Sequence, residues 1–327
     1  MSERDLLAAA QRGDEDAFGR LVGPYRRELH AHCYRMLGSA ADAEDVLQEA
    51  LLGAWRGLPR FEGRSSLRSW LYTIATNACL RAIERRPRRV LPIDYEPASD
   101  PHGQPAAALV DASPWIDPLP TPEGHYEQRE SVELAFIAAL QHLPARQRAV
   151  LILRDVLGFS ARETAEALDM NPPAVDSAMQ RAKKTVEARL PQRSQQSTLR
   201  SLDDAELRAI VDGYMEAWER ADVDALAAML AEQAVFTMPP QPTWFRGREA
   251  IAAFMAARPL AEGMRWRVVP TRANGQLAFG HYYWDGDGFV GEGIAVLTLR
   301  DTQIEDLTVF RTPELLERFG LPARIAA

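Results

Sequence analysis

Apolar side chains recur at every third or fourth position over residues 3–86, the spacing of helices that bury one face. Leu6, Leu7 and Ala10 open this pattern, and Phe18, Leu21, Val22 and Tyr25 continue it. Ser39 is a predicted cap for a helix that turns Ala43, Val46, Leu47, Ala50 and Ala54 inward. Another helix is predicted from Ser65 or Ser66, with Leu67, Leu71, Ile74, Ala75, Ala78 and Ala82 inward. It stops ahead of Pro87, because the residue before a proline is driven out of helical backbone geometry. Residues 126–190 are helical again. There, Leu151, Ile152, Val156 and Leu157 form an apolar stretch closed by Gly158, and Ser160 to Glu163 form a capping box for a helix ending at Leu168. Asp169, Met170 and Asn171 make a turn. Pro172 and Pro173 fit only the first turn of the next helix, where their missing N–H groups cost nothing. That helix sets Val175, Met179, Ala182 and Val186 on one face, so 160–190 reads as a helix-turn-helix.

The remaining segments follow other patterns. Residues 87–125 are rich in Pro, Asp, Gly and Ala without any period and read as a linker, in which Trp115 and Ile116 could dock locally. A second, Gln- and Ser-rich linker is expected at 191–202. From 203 to 316, two helices (204–220 and 222–230) precede strand-like runs at 235–238, 265–270, 277–283, 293–299 and 305–310. Turn signals separate them, such as Asn274-Gly275 and Asp285-Gly286-Asp287-Gly288. Helices followed by antiparallel strands predict an α+β domain. The whole is a multidomain chain: two all-α domains (3–86 and 126–190) and a C-terminal α+β domain (203–316).

Composition narrows the function. The 327 residues hold 38 basic and 46 acidic side chains, a net charge of −8, so nucleic acid cannot be coated by bulk attraction. Local basic clusters remain: Arg81, Arg85, Arg86, Arg88 and Arg89, then Arg181, Lys183, Lys184 and Arg189. Two cysteines, Cys33 and Cys79, imply no disulfide framework and fit a reducing cytoplasm. No leader or membrane-spanning run is predicted, and no metal or cofactor motif stands out.

Three faces carry candidate chemistry. On the last helix of the helix-turn-helix, Ser177, Gln180, Arg181 and Lys184 can reach base edges or phosphates. The helix predicted at 66–86 turns Trp70, Tyr72, Thr73, Thr76, Asn77, Arg81 and Arg85 outward. Aromatic rings stack on unpaired bases, amides read base edges and arginines neutralise phosphates, so this face suits single-stranded DNA. Packing of Trp70 on a neighbouring helix serves equally well at that position. The Ser39-capped helix carries Asp42, Asp45, Gln48 and Glu49 outward, a face that repels DNA and attracts a basic protein surface.

Residues 3–190 resemble the extracytoplasmic-function group of sigma-70 family sigma factors. The resemblance rests on DAEDVLQEALLGAW at 42–55, FEGRSSLRSWLYTIATN at 61–77 and LPARQRAVL at 143–151 leading into the helix-turn-helix, in that order and spacing. It implies a region 2 domain, a tether lacking region 3, and a region 4 domain. Asp45, Gln48 and Glu49 would dock on the clamp helices of the polymerase β′ subunit, and region 4 on the β flap. Asn77, with Phe61 and Trp70 near it, would hold a flipped base of the melted −10 element, with Arg81 and Arg85 on the phosphates. Arg162 would touch backbone, while Ser177, Gln180, Arg181 and Lys184 read the −35 element. Asp176 departs from the family, which often places a basic residue there; an acid repels phosphate but can accept from cytosine N4, so either weaker binding or a distinct −35 sequence follows.

Residues 203–316 are similar to SnoaL-like domains, α+β cones around a pocket. The similarity rests on Tyr214, Trp218, Asp222, Asp224, Leu226, Val235, Phe236 and WFRGREAIAAF at 244–254. Related isomerases place a carboxylate or histidine base in such a pocket. Here the base expected near Thr237–Pro240 is missing; His281 could substitute, and Asp306 lies on the last strand. Tyr214, Trp218, Phe236, Trp244, His281 and Tyr283 are the candidate lining of a small-molecule pocket. A non-enzymatic regulatory module acting in cis is therefore expected. The alternatives are a ligand-responsive helix-turn-helix regulator, which leaves the acidic helix and the Trp70–Asn77 face unused, and an isomerase or cyclase fused to a DNA-binding region.

Overall fold

In the computed structural model, residues 2–86, 88–108, 114–121, 132–191 and 193–326 are described. Two units share the chain: one combines residues up to Arg89 with Ala135–Leu190, the other Val90–Leu134 with the chain from Pro191 onward.

The first unit is helical because most of its helices carry their own start signal and an apolar stripe. Ser2 caps α1 (Glu3–Gln11), Asp14 caps α2 (Glu15–Leu37), Ser39 caps α3 (Ala40–Gly57) and Ser66 caps α4 (Leu67–Ile83). The buried stripe of α3 contains the five residues predicted for it, Ala43, Val46, Leu47, Ala50 and Ala54. After α5 (Leu134–Gln141) and α6 (Ala145–Leu151), the backbone widens over Ile152–Val156 before Gly158. A capping box at Ser160 opens α7 (Ala161–Leu168). Asp169 closes it in left-handed geometry (φ 52°), and Asn171 caps α8 (Pro172–Glu187) ahead of its two prolines. Val175, Ala178, Ala182 and Val186 form the buried face of α8. Within this unit α4 packs against α6 and α7, and α2 against α6.

A charged side chain sits in this core. Arg148 of α6 is 4% exposed, and its guanidinium donates to the carbonyls of Met36, Gln141 and Leu143. Gln141 in turn donates to the Arg35 carbonyl. Burial is bearable because these contacts supply the acceptors that water would, and it still pulls the Arg148 pKa down to about 10.

The second unit is built on one seven-stranded sheet ordered β2-β1-β6-β5-β4-β3, with β7 paired to β5. Its elements are α9 (Gln195–Ser201), α10 (Asp204–Glu219), α11 (Val223–Met229), β1 (Leu230–Thr237), β2 (Trp244–Arg246), α12 (Arg248–Ala257), β3 (Trp266–Ala273), β4 (Gln276–Trp284), β5 (Phe289–Arg300), β6 (Gln303–Phe310), α13 (Leu315–Arg318) and β7 (Arg324–Ile325). Asn274 and Gly275, both at positive φ, close the β3–β4 hairpin as their sequence predicts. One pairing departs from the expected antiparallel run, since β1 lies parallel to β6. The core fills the space between the sheet and α10 to α12, with Tyr214, Trp218, Phe236, Phe254 and Phe279 among its members.

The two expected linkers are corrected. Where described, the Pro-rich segment is bound to the second unit. Trp244 Nε1 donates to the Glu96 carbonyl, Ala106 N to Thr243 Oγ1 and Leu119 N to Asn274 Oδ1. Trp115 and Ile116 are buried. Pro87, residues 109–113 and 122–131, which include Gly124 and the expected start of the second helical block, lie outside the described residues. The Gln- and Ser-rich stretch forms α9, whose buried side chains replace strand contacts. Gln195 Nε2 donates to the Leu299 carbonyl while its Oε1 accepts from Leu299 N, and Gln196 donates to the Gly275 carbonyl. The Glu133 carboxylate accepts both first-turn N–H groups, those of Gln195 and Gln196.

Candidate functional site

On α3, Asp45, Gln48 and Glu49 are exposed together, because their positions fall opposite the buried alanines. Asp42 does not join them. It is drawn into ion pairs with Arg86 and Arg89, so the acidic face is shorter than its sequence suggests.

On α4 the predicted outward face divides in two. Trp70 is half-buried and packs at a tilt of 39° against Phe61, with ring centroids 4.9 Å apart. It lies so close to α3 that a Cβ at Gly57 would meet its ring at 3.3 Å. Arg81 and Arg85 are exposed and unpaired among the described residues, and Asn77 is half-buried. Tyr72 and Thr76 instead point inward, contrary to expectation. Tyr72 packs edge-on against His32 and Phe159, and Thr76 Oγ1 meets His32 Nε2 at 2.8 Å. Both residues lie next to inward positions on the helix wheel, and a tyrosine or threonine turns to the core wherever neighbouring helices supply contacts.

On α8, Asp176, Ser177, Gln180, Arg181 and Lys184 are all exposed, and Lys183 is held by Asp155 at 2.7 Å. Arg162, exposed on α7, pairs with Glu166 one turn on. Arg88 contacts His142, and Arg86 and Arg89 are bound by Asp42. The first basic cluster therefore leaves only Arg81 and Arg85 free among its five members.

The second unit holds a cavity of about 470 Å³, in the size range of small-molecule sites. Of the six expected lining residues, Trp218, Phe236, His281 and Tyr283 face it. Tyr214 stands one layer behind, its hydroxyl sharing a 3.1 Å hydrogen bond with His281 Nε2. Trp244 is directed away onto the Pro-rich segment. Burial holds the His281 imidazole neutral, its pKa pulled down to about 3, and pushes the Tyr214 hydroxyl up. Asp306 lies on the face of β6 opposite Val309, which lines the cavity, so its carboxyl is no base for this site. Burial raises the Asp306 carboxyl to about 7, with Glu305 adding to the effect and Arg246 opposing it.

The sequence reading missed the charged rim. Arg258, Glu292 and Arg311 also line the cavity, and Arg311 Nε donates to Glu292 Oε1 at 2.5 Å and Nη1 to Gln241 at 2.9 Å. Glu292 is the extra residue of a β-bulge, since His281 pairs with Gly293 and Tyr282 with Gly291. Such an insertion re-aims a side chain, and no short-range pattern announces it. Pro105, from the Pro-rich segment, forms part of the wall.

Comparison with known proteins places each part. Residues 21–89 match Sigma-70 region 2, residues 133–186 match Sigma-70 region 4, and residues 211–307 match a SnoaL-like domain. The ECF RNA polymerase sigma factor SigG of Mycobacterium tuberculosis is 40% identical over 326 residues, covering 96% of this chain and 86% of the relative. SigM of the same species is 32% identical over 182 residues, 56% of this chain and 81% of the relative. The crystal structure of the M. tuberculosis extracytoplasmic function sigma factor SigJ superposes with a TM-score of 0.61 at 21% identity, covering 92% of this chain and 99% of that one. Two sigma regions and a SnoaL-like domain in one order, shared with SigG over nearly the whole length, make this chain a member of the extracytoplasmic-function RNA polymerase sigma factors.

Proposed function

We propose that the chain binds core RNA polymerase through Asp45, Gln48 and Glu49 on the β′ clamp helices and through region 4 on the β flap, in the cytoplasm, and selects promoters with two DNA-facing surfaces. Asn77, Phe61 and Trp70 take a flipped base of the −10 element while Arg81 and Arg85 hold its phosphates. Ser177, Gln180, Arg181 and Lys184 read the −35 element in the major groove, Arg162 grips backbone, and Asp176 accepts from a cytosine. The observation that carries this reading is the joint exposure of an acidic face on α3 and a polar, basic face on α8 within one unit. Run-off transcription with core enzyme tests it: a promoter-specific transcript is expected only when the chain is added, and its absence overturns the reading.

The packing of α4 on α7 is read as a resting arrangement. The −10 and −35 elements are centred about 25 base pairs apart, or roughly 85 Å of duplex at about 3.4 Å per pair. Helices in contact cannot serve both, so engagement with polymerase separates regions 2 and 4.

The C-terminal domain is read as a ligand-responsive regulator in cis. Pro105 belongs to the chain segment that connects region 2 to region 4, and it walls the cavity, so occupancy bears on that tether. Binding is favoured over catalysis because His281 Nε2 is engaged by Tyr214 and the Glu292 carboxylate by Arg311. Deleting the chain beyond Pro191 is expected to change transcript yield; equal output from both forms rejects regulation by the tail.

A further inference from the structure

We propose that the cavity of the SnoaL-like domain takes a small organic acid, an apolar body bearing one carboxylate, with Arg258 as the carboxylate anchor. This rests on the reading of that cavity as a ligand site. Its inner walls are aromatic and apolar, including Trp218, Phe236, Phe254 and Trp266. They would bury a flat hydrocarbon body with favourable ring contacts. The polar groups are not symmetric in charge. Arg311 is neutralised by Glu292 and further held by Gln241. His281 is uncharged and engaged by Tyr214. The Arg258 guanidinium has neither carboxylate nor hydrogen-bond partner among the described residues, although the residue is half-buried at the end of α12.

The cavity therefore carries one uncompensated positive charge beside an apolar interior. A guanidinium offers two parallel donors matched to a carboxylate, and a charge-assisted contact in a partly water-excluded site outweighs a neutral one. A neutral body would leave Arg258 without a partner, and a cation would meet it with repulsion. An acid satisfies both ends.

The test uses 1-naphthoate and its uncharged counterpart 1-naphthalenemethanol, titrated calorimetrically into the full-length chain. Naphthoate is expected to bind at one site, at least tenfold more tightly than the alcohol. Arg258→Met is expected to weaken naphthoate tenfold or more while leaving the alcohol unchanged, which also reports that the domain is folded; Arg258→Lys recovers part of the loss. If acid and alcohol bind alike, or Arg258→Met leaves naphthoate binding intact, the anchor assignment is overturned and the cavity remains a ligand site. If neither compound binds, the ligand-site reading falls with it.

Discussion

Asn77 on α4 donates from Nδ2 to the main-chain carbonyl of Ala167 on α7, at 3.4 Å. A side chain assigned to a promoter base is thus occupied by the first helix of the helix-turn-helix. The contact is long and therefore weak, so it is easily exchanged for a base edge.

Asn77→Ala is expected to abolish open-complex formation at a duplex promoter while retaining affinity for core enzyme. Permanganate footprinting and co-elution read the two properties separately. Melting at the wild-type level would remove Asn77 from base capture.

Asp45→Arg reverses one charge on the exposed acidic face of α3. Loss of core binding by about tenfold or more is expected, since a close interfacial charge pair is worth about 1.5 kcal/mol at the low end, with the helical content of the chain unchanged. Native-like co-elution of this variant would move the polymerase contact elsewhere.

Arg148→Met strands the carbonyls of Met36, Gln141 and Leu143 in an apolar interior. A loss of about 3 kcal/mol from the unfolding of the first unit is expected, since each orphaned acceptor costs on the order of 1–3 kcal/mol. Chemical denaturation measures it, and an unchanged midpoint would mean that water reaches these groups.

Two groups in the second unit respond oppositely to pH. His281 titrates at about 3 in the fold against 6.5 ordinarily, so the folded state binds fewer protons and its stability falls as pH drops from 6.5 toward 3. Asp306 titrates at about 7 against 3.8, so the folded state holds its proton longer and stability falls as pH rises from 3.8 to 7. Asp306→Asn is expected to raise the Tm by a few degrees at pH 8 and by less at pH 5, and His281→Gln to flatten the loss below pH 6. Thermal scans across pH decide both, and an Asp306→Asn gain equal at pH 5 and pH 8 would rule out a raised carboxyl.

The chain's local chemistry is legible wherever the determining partner lies within a few residues. Ser39, Ser160 and Asn171 cap helices through N–H groups three positions away, and Asn274-Gly275 turns the chain by its own backbone freedom. The exposed positions on α3 and α8 follow from the same periodicity, which is why spacing alone puts Asp45, Gln48, Glu49, Ser177, Gln180, Arg181 and Lys184 on open faces. Tyr72 and Thr76 escape this periodicity because their partners, His32 on α2 and Phe159 in the loop before α7, are distant in the chain.

The amino-acid order alone settled most of the helices of the first unit, five of the strands and the domain types they build, since periodicity and capping act over one or two turns. Only the folded chain decided that the Pro-rich segment and the glutamines of α9 pack against the sheet, and that Glu292, Arg311 and Arg258 form a rim. The first outcome depends on pairings between Leu119 and Asn274, Trp244 and Glu96, or Gln195 and Leu299, each about 100 residues or more apart, and the rim on a bulge in β5 that re-aims Glu292 toward Arg311. A polar side chain whose partner is that distant leaves no repeating trace in its own neighbourhood.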